Sequence, residues 1–409
     1  MIEDADVLAR AAVEPSAFPT RAWRTRASGL LQVCLPLAVV TWVVSMGIHT
    51  QLHYFDGNLS GLVQFGSYFQ HYTHPPPGAV VLSGSNQAGY DGQFYYVLAR
   101  DPLLLHRSTL AGLAGQLFRA DRIGYPALAA LVSRGAHLTL PAALLGVNVG
   151  VVLFLTLGFA VYARSRGWSG LWALALGLLP GFLLATLRDL TDPLATAAGL
   201  AGLIAYARGH RWPAALLLTL AVLTREVMAL MVAAIAIEAA ARAWHARGTS
   251  GAVRRIARHA APAVALPGIS LIGWQLYVTL RDGGSLPLSP TARWPTFVSS
   301  LNAAVHSSFA FAVWDITYEG LMLAAAVAAL IAAWRKRSLF NIAATLMAAS
   351  LFFAGFQPLW GDTRDSLPLF ALLLVAGLEQ RRRFDLAICV AAATMTVLIP
   401  LAIPGLLTM

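Results

Sequence analysis

The stretch that decides the class of fold is LLQVCLPLAVVTWVVSMGI, residues 30–48. It carries no charge, and about 20 predominantly apolar residues suffice to take an α-helix across a lipid bilayer. Arg21, Arg24 and Arg26 stand just ahead of it, and no small-residue cleavage site follows, which is typical of a retained anchor rather than a signal peptide. The sequence therefore predicts a first membrane-spanning helix preceded by a cytoplasmic tail, residues 1–27.

The rest of the chain has the composition of a membrane protein. Of 409 residues, 58% are hydrophobic and 12% are charged, against roughly 25% charged in soluble domains. We expect about eleven spans, within a range of ten to thirteen, near residues 30–49, 140–163, 168–186, 190–207, 212–224, 227–244, 261–280, 318–334, 339–356, 366–379 and 385–405. The predicted fold is an all-α polytopic membrane protein, in which residues 28–409 form one domain with long loops at about 51–139 and 281–317.

The basic residues predict which side of the membrane each loop faces. The net charge is +10, and 28 of the 29 basic residues are arginine, placed in short clusters between apolar runs. That spacing is typical of topogenic signals, so nucleic acid is not an expected partner. With the N-terminus inside, alternation places 19 of the 29 on the cytoplasmic side, as the positive-inside rule requires. We expect a multi-pass membrane protein whose N-terminus is cytoplasmic and whose long loops face outward.

The acidic residues favour the opposite side. Alternation places 12 of the 19 Asp and Glu residues outward, and acids carry little weight in orientation, so this excess needs another cause. In the first long loop, residues 94–105 and 110–118 have aromatic and leucine faces that predict two short amphipathic helices lying in the membrane interface.

The sharpest local pattern is GYDGQFYY, residues 89–96, in which Asp91 stands between glycines just before an aromatic helix. We expect such a carboxylate to lie at the mouth of the helix bundle, at the depth of the lipid headgroups. Asp91 fits two roles, a functional base and a helix N-cap accepting the N–H of Phe94. Tyr90, Gln93 and Tyr95 flank it and are candidates for lining a substrate pocket.

Three further charged clusters interrupt apolar runs at the same predicted face. They are LRDLTDP at 187–193, with Arg188, Asp189 and Asp192; LTREV at 223–227, with Arg225 and Glu226; and QPLWGDTRDSLP at 357–368, with Trp360, Asp362 and Arg364. Each also has a structural interpretation: an Arg188–Asp189 pair, a turn-stabilising Arg225–Glu226 pair, and a loop salt bridge from Arg364 to Asp362 or Asp365. Charges at membrane depth are costly, which favours a functional role.

Carboxylates and guanidiniums beside lipid headgroups suit one kind of chemistry. A carboxylate can take a proton from a hydroxyl, while arginines stabilise a departing phosphate. The sequence lacks a Gly-rich phosphate loop, zinc-ligand spacing and a Gly-x-Ser-x-Gly elbow. No cofactor is indicated with certainty; outward carboxylates can bind Mg²⁺ or Mn²⁺, but no ligand spacing supports such a site. These patterns indicate transfer of a group from a lipid phosphate.

These segments resemble those of the GT-C superfamily of polyprenyl-phosphate-sugar-dependent glycosyltransferases. The resemblance covers residues 90–102, 119–126, 191–194, 223–227 and 364–368, after a first span with its N-terminus inside. It implies a periplasmic, inverting glycosyltransferase that uses a polyprenyl-phosphate-linked sugar and builds a cell-envelope glycan. The implied acceptor is a hydroxyl of a glycan, lipid or protein.

The resemblance also implies roles for individual residues. Asp91 would be the general base, and Arg225 and Arg364 would bind the donor phosphate. Asp189, Asp192 and Glu226 would shape the sugar and acceptor pocket.

The chain departs from the GT-C pattern in one respect. Many relatives carry two adjacent acids in the first loop, whereas Gly92 follows Asp91, so the second carboxylate must be Asp56, Asp101 or Asp121. Asp56 is also the alternative for the base. The alternative function is that of a lipid or polysaccharide transporter or flippase, in which the outward charges form a gate; a non-catalytic scaffold of an envelope assembly is a third.

Overall fold

The architecture is almost entirely helical in a computed structural model that describes residues 26–114, 117–249, 251–283, 309–354 and 363–402. The helices and strands in chain order are α1 (Arg26–Tyr54), α2 (Ser60–Val63), β1 (Phe65–Gly66), α3 (Gln70–Thr73), β2 (Val81–Leu82), α4 (Gly92–Arg100), α5 (Arg107–Ala111), α6 (Gly124–Ala136), α7 (Leu140–Ser165), α8 (Trp172–Gly177), α9 (Pro180–Thr186), α10 (Asp192–Ala207), α11 (Arg211–Thr224), α12 (Ala229–His245), α13 (Ala252–Asp282), α14 (Phe309–Arg335), α15 (Leu339–Ala354), α16 (Leu367–Gln380) and α17 (Arg383–Ala402). Single turns of 3-10 helix cover Gly84–Asn86, Leu117–Asp121 and Glu226–Met228.

Several helices have the length and apolarity that a membrane requires. Within the described residues there are five: Gly29–Tyr54, Leu140–Ser165, Glu226–His245, Ala252–Asp282 and Ala312–Arg335. Three shorter apolar helices are Arg211–Thr224, Leu339–Leu351 and Leu367–Gln380. Large apolar side chains such as Phe154 and Trp334 point outward, 77% and 91% exposed, as lipid-facing side chains do. This architecture fits an all-α membrane protein, while the count of eleven spans stays a prediction.

The bundle is built around α16. Every residue of this helix from Leu367 to Leu378 is buried, and α16 packs against α14, α15 and α17. A helix that is apolar on all sides has no face to offer to water and is stable only when it is surrounded by other helices or lipid. The hydrophobic core of the molecule therefore sits along α16.

The predicted span at 168–186 is broken in two. Helix α8 ends at Gly177, and α9 begins at Pro180, which occupies the first turn of the new helix. Proline lacks the N–H that would continue the helix from α8, whereas its fixed φ suits a helix start. The break brings the first turn of α9 against the segment that precedes α16, where Gly181 approaches the backbone of Thr363.

The first long loop is folded compactly. Strands β1 and β2 pair in parallel, Phe65 with Val81 and Gly66 with Leu82. Helix α4 follows, and its residues from Gly92 to Ala99 are all buried. The prediction of a helix here is correct, and its faces are covered by the rest of the protein. Its position at the membrane interface stays a prediction.

Later parts of the loop differ from the prediction. In the region of the second expected helix, the described residues form α5 and the 3-10 turn Leu117–Asp121. The 13-residue helix α6 lies in what the sequence predicts as loop. The tail, most of the loop at 281–317, and the stretch 355–362 lie outside the described residues.

Candidate functional site

Four separated segments meet at one end of the bundle. Helix α10 runs away from this end starting at Asp192, and α11 returns to it, so Arg225 stands beside Asp192. Arg364 and Asp365 directly precede α16, and Asp91 precedes α4. The predicted co-location of the charged clusters is therefore present in the structure as one network of ion pairs.

Asp91 occupies the N-cap position of α4 without acting as a side-chain cap. Its backbone is helical, with φ −62° and ψ −25°, and its carboxylate makes no capping hydrogen bond. Instead, Arg119 donates to Oδ1 from Nη2 at 2.5 Å and from Nε at 3.1 Å, and Arg364 donates to Oδ2 from Nη1 at 3.3 Å. Of the two roles left open by the sequence, the N-cap interpretation is therefore wrong.

A close backbone approach places Asp91 beside the turn between α9 and α10. A Cβ on Gly92 would stand 2.6 Å from the carbonyl oxygen of Arg188 and 2.8 Å from that of Val63. Side chains do not fit at such distances, so the first residue of α4 has to be glycine for the loop to dock here. The glycine after Asp91 in the sequence thus has a structural cause.

The network continues from Arg364 to the far side of the site. Arg364 Nε lies 3.4 Å from Asp365 Oδ1, Asp365 pairs with Arg225, and Arg225 also pairs with Asp192. Side-chain exposure in this chain of contacts runs from 4% at Asp192 to 15% at Asp91. At this depth water screens charges weakly, so the carboxylates and guanidiniums hold one another strongly in place.

A separate ion pair joins the first long loop to the segment that follows α11. Arg122 donates to both carboxylate oxygens of Glu226, at 2.8 and 3.0 Å, and to the hydroxyl of Tyr95 at 3.2 Å. This two-pronged geometry is the strongest way for arginine to hold a carboxylate. The predicted Arg225–Glu226 turn pair is therefore wrong, because each residue has partners from other segments.

Tyr90 and Arg188 complete the arginine-rich side. The guanidiniums of Arg188 and Arg364 lie 5.1 and 5.7 Å from the centre of the Tyr90 ring, within the range of cation–π attraction. Burial lowers the pKa of Arg188 to about 10, the Tyr90 hydroxyl opposes this shift, and Arg364 adds to it. Three cationic side chains thus approach Asp91 and Tyr90, which suits an anionic ligand.

The electrostatics of Asp91 follow from its partners. Burial by itself raises the pKa of Asp91, but the guanidiniums of Arg119 and Arg364 outweigh burial and hold this pKa well below its ordinary value. Burial also raises the pKa of Asp365, and Arg225 and Arg364 likewise bring it below the ordinary value. Both carboxylates are therefore ionised at neutral pH.

Two other acids beside the network behave in the opposite way. Burial raises the pKa of Asp121 to about 7; a hydrogen bond from Gln275 opposes the shift, and the charge of Glu226 adds to it. Asp189 is fully buried, and burial raises its pKa well above the ordinary value. The hydroxyl of Tyr125 beside this carboxylate opposes the shift, and neither carboxylate oxygen accepts a hydrogen bond from Arg188 among the described residues. The suggested Arg188–Asp189 pair is therefore not formed as a hydrogen bond.

Some predicted residues stand apart from the network. The amide of Gln93 is used within the loop, where it accepts from the N–H of Gly66 at 3.1 Å and donates to the carbonyl of Ala88 at 2.9 Å. Asp56 lies in an exposed turn with φ +52° after α1, and the structure does not bring it to Asp91. Trp360 and Asp362 lie outside the described residues.

No functional role was predicted from the sequence for Arg119 and Asp365, which belong to the network, or for Arg122, which pairs with Glu226. A signal was available for the two arginines, because they stand three apart in RADR, residues 119–122, on the side predicted to be poor in basic residues. From the sequence, Asp365 is predicted only as a loop partner of Arg364. In the structure it also forms an ion pair with Arg225.

The arrangement does not resemble a cation site. Asp91, Asp192, Glu226 and Asp365 are each paired with a guanidinium. In the described part of the chain, no group of three or more His, Cys, Asp or Glu side chains is placed to hold a metal ion. The donor set fits a phosphate better than Mg²⁺ or Mn²⁺.

Comparison with known proteins found no match of the chain to a protein-family model, a curated protein or a solved structure.

Proposed function

We propose that this protein is an inverting glycosyltransferase that moves a sugar from a polyprenyl phosphate to an acceptor hydroxyl at the periplasmic face of the membrane. The observation that carries the proposal is the continuous set of ion pairs from Arg119 through Asp91, Arg364, Asp365 and Arg225 to Asp192. It joins a carboxylate suited to a base with guanidiniums suited to a phosphate.

The proposed reaction is a single displacement. The acceptor hydroxyl gives its proton to Asp91 while its oxygen forms a bond to the anomeric carbon of the sugar. On the opposite side of that carbon, the bond to the phosphate oxygen breaks, and the electron pair leaves with the polyprenyl phosphate. Arg225 and Arg364 stabilise the charge that develops there. Attack and departure on opposite faces invert the anomeric configuration.

Donor binding changes the state of the base in this scheme. Arg364 contacts both Asp91 and Asp365, so a donor phosphate that binds Arg364 competes with both carboxylates. Once Arg364 is shared with the phosphate, Asp91 loses part of the positive field that weakens it as a base. The carboxylate thus becomes a better proton acceptor when the leaving group is in place.

The finer features of the fold belong to the same proposal: a GT-C-like domain of about eleven spans in the bacterial inner membrane, with the N-terminus in the cytoplasm. Short connections at 208–210, 246–251, 336–338 and 381–382 join helices at the end opposite the ion-pair network. Arginines are frequent at that end. The positive-inside rule then assigns it to the cytoplasm and the network to the periplasm.

The test is a transfer assay with purified protein and a panel of polyprenyl-phosphate sugars. We expect one of them to be consumed, with release of polyprenyl phosphate and a product of inverted configuration. Asp91→Asn should lower turnover about a hundredfold or more, and Asp56→Asn, in the exposed turn, should leave it near wild type. Loss of activity in Asp56→Asn alone would instead make Asp56 the base.

The same preparation separates an enzyme from a transporter. In sealed vesicles, movement of an unmodified lipid-linked sugar across the bilayer with no new glycosidic bond would contradict the proposed function and favour a flippase.

A further inference from the structure

A second charged feature lies at the opposite end of the bundle. A cavity of about 780 Å³ is lined by the last turn of α14, the connection from α16 to α17 and the first turn of α17. Its charged lining residues are Arg335, Lys336, Arg381, Arg382, Arg383, Glu379 and Asp385. Five cations against two carboxylates make this cavity a site for an anion, and no step of the proposed reaction uses it.

The walls of the cavity are held by specific contacts. Asn341, which is fully buried, donates to the carbonyl oxygens of Ala332 and Lys336, and its own carbonyl accepts from Arg382 Nη2 at 3.1 Å. Arg382 also lies 2.7 Å from Asp385. These contacts tie the end of α14 to the α16–α17 connection, so the basic groups are presented by a preformed wall.

The backbone at Arg381 gives an independent indication. Arg381 ends α16 with φ +55° and ψ +37°, in the left-handed region. Glycine is the usual residue at such a helix end, because any side chain makes the conformation less favourable. The side chain of Arg381 is exposed and lines the cavity in spite of this cost. The buried Nε of Arg382 also lacks a hydrogen-bond partner among the described residues.

The surroundings of the cavity are apolar, which selects the kind of anion. Ile331 and Phe384 belong to the lining and are 49% and 64% exposed, and Val327 and Leu330 continue an exposed apolar face along α14. Trp334, 91% exposed, stands beside the rim, as tryptophans do at the level of lipid headgroups. A soluble phosphate makes no contact with this apolar face, whereas a lipid covers it with an acyl chain.

We propose that this cavity binds an anionic phospholipid, with the phosphate among Arg335, Arg381 and Arg383 and an acyl chain against the apolar side of α14. Basic pockets between helices on the cytoplasmic side of membrane proteins bind such headgroups. The site is separate from the ion-pair network. The proposal of a lipid site therefore does not depend on the sugar-transfer proposal.

The experiment is a titration of the detergent-purified full chain with phosphatidylglycerol, followed by native mass spectrometry, with phosphatidylcholine as the neutral lipid. The test variant is Arg381→Gly with Arg383→Gln; glycine suits the backbone at 381, so the fold should persist. The matched control is Arg254→Gln with Arg255→Gln, which removes two exposed charges from the same end, at the start of α13. Thermal midpoints of both variants verify folding.

We expect saturable binding of phosphatidylglycerol and not of phosphatidylcholine. Affinity should fall about tenfold in the test variant and stay near wild type in the control. Equal affinity in the two double variants, whether lowered or unchanged, would overturn the proposal, because the cavity would then contribute nothing beyond general surface charge. Displacement of the lipid by excess glycerol phosphate would overturn it too, since the site would then recognise a soluble phosphate.

Discussion

Asp91 is held by two arginines that are 28 and 273 positions away in the sequence. A carboxylate paired in this way is ionised, as a general base must be. It is a weak proton acceptor as long as both guanidiniums remain paired with it. In the scheme proposed above, the acidic limb of the pH–rate profile reports the environment of this one carboxylate.

The first prediction concerns that acidic limb. In the free protein the pKa of Asp91 is held well below its ordinary value, so kcat/KM should stay flat far into the acidic range. A donor phosphate that engages Arg364 raises this pKa, so the acidic limb of kcat should lie at higher pH than that of kcat/KM. Arg119→Gln should shift both limbs upward by about one pH unit or more.

The control for this series is Arg134→Gln, an exposed arginine of the same loop, which should leave both limbs in place. Coincident limbs for kcat and kcat/KM, unmoved by Arg119→Gln, would show that Asp91 is not the titrating base.

The second prediction concerns stability and Asp121. Burial raises the pKa of this carboxyl to about 7 in the folded protein, against about 3.9 in the unfolded chain. The folded state therefore binds the proton more tightly. The resulting stabilisation is complete below about pH 4 and is lost as pH rises towards 7. Asp121→Asn should flatten the fall of the thermal midpoint over this window, which reflects about 2–4 kcal/mol. An unchanged slope would place the titrating group elsewhere.

The sequence shows which residues carry charge, but it predicts poorly which of them form ion pairs with one another. Arg225, Arg364 and Asp91 are conspicuous because charged residues are rare in an apolar chain and costly at membrane depth. Their partners are set by the packing of α4, α10, α11 and α16, which the local sequence does not contain. The local pair Arg225–Glu226 was therefore predicted, and the long-range pairs of Arg225 with Asp192 and Asp365 were not.

Helices were predictable where apolar runs are long. Helices α1, α7, α12, α13 and α14 fall on predicted spans, because their apolar runs are long enough to form a helix even where they contain proline, as at Pro36 in α1. The first long loop was harder to predict. Helix α6 has too few apolar residues for a span, and α4 carries an amphipathic pattern typical of a surface helix, although the rest of the loop covers it. Burial of a short helix depends on what folds over it.

The third prediction tests how α4 is docked. Gly92→Ala would put a methyl group 2.6 Å from the carbonyl oxygen of Arg188. Helix α4 would have to move away from the α9–α10 turn, carrying Asp91 away from Arg364. We expect a loss of about 1–3 kcal/mol in stability and a clear fall in turnover. Gly135→Ala, on α6, meets nothing within 4 Å and should leave both properties near wild type. Equal behaviour of the two variants would contradict the docking.

At the scale of the whole molecule, the charges fall at two ends. Acid–arginine pairs occupy the end where α10 and α16 begin, and clusters of arginine occupy the end where these helices finish.

The fourth prediction concerns orientation, and it uses single cysteines in a background that lacks Cys34 and Cys389. A membrane-impermeant thiol reagent should label His106→Cys in cells with a permeabilised outer membrane and intact inner membrane. It should label Thr249→Cys only after the inner membrane is opened. The reverse pattern would place the ion-pair network in the cytoplasm.

In the proposed function, Arg364 beside Asp91 and Arg225 beside Asp192 together bind the phosphate of a lipid. The most direct measurement is the affinity of the purified protein for polyprenyl phosphate, in wild type and in Arg225→Lys, Arg364→Lys and Arg254→Lys, with folding checked by thermal midpoint. Lysine keeps the charge and loses the planar fork of donors. We expect an affinity about tenfold lower in the first two variants and unchanged in Arg254→Lys. Wild-type affinity in all three would contradict the proposed phosphate site.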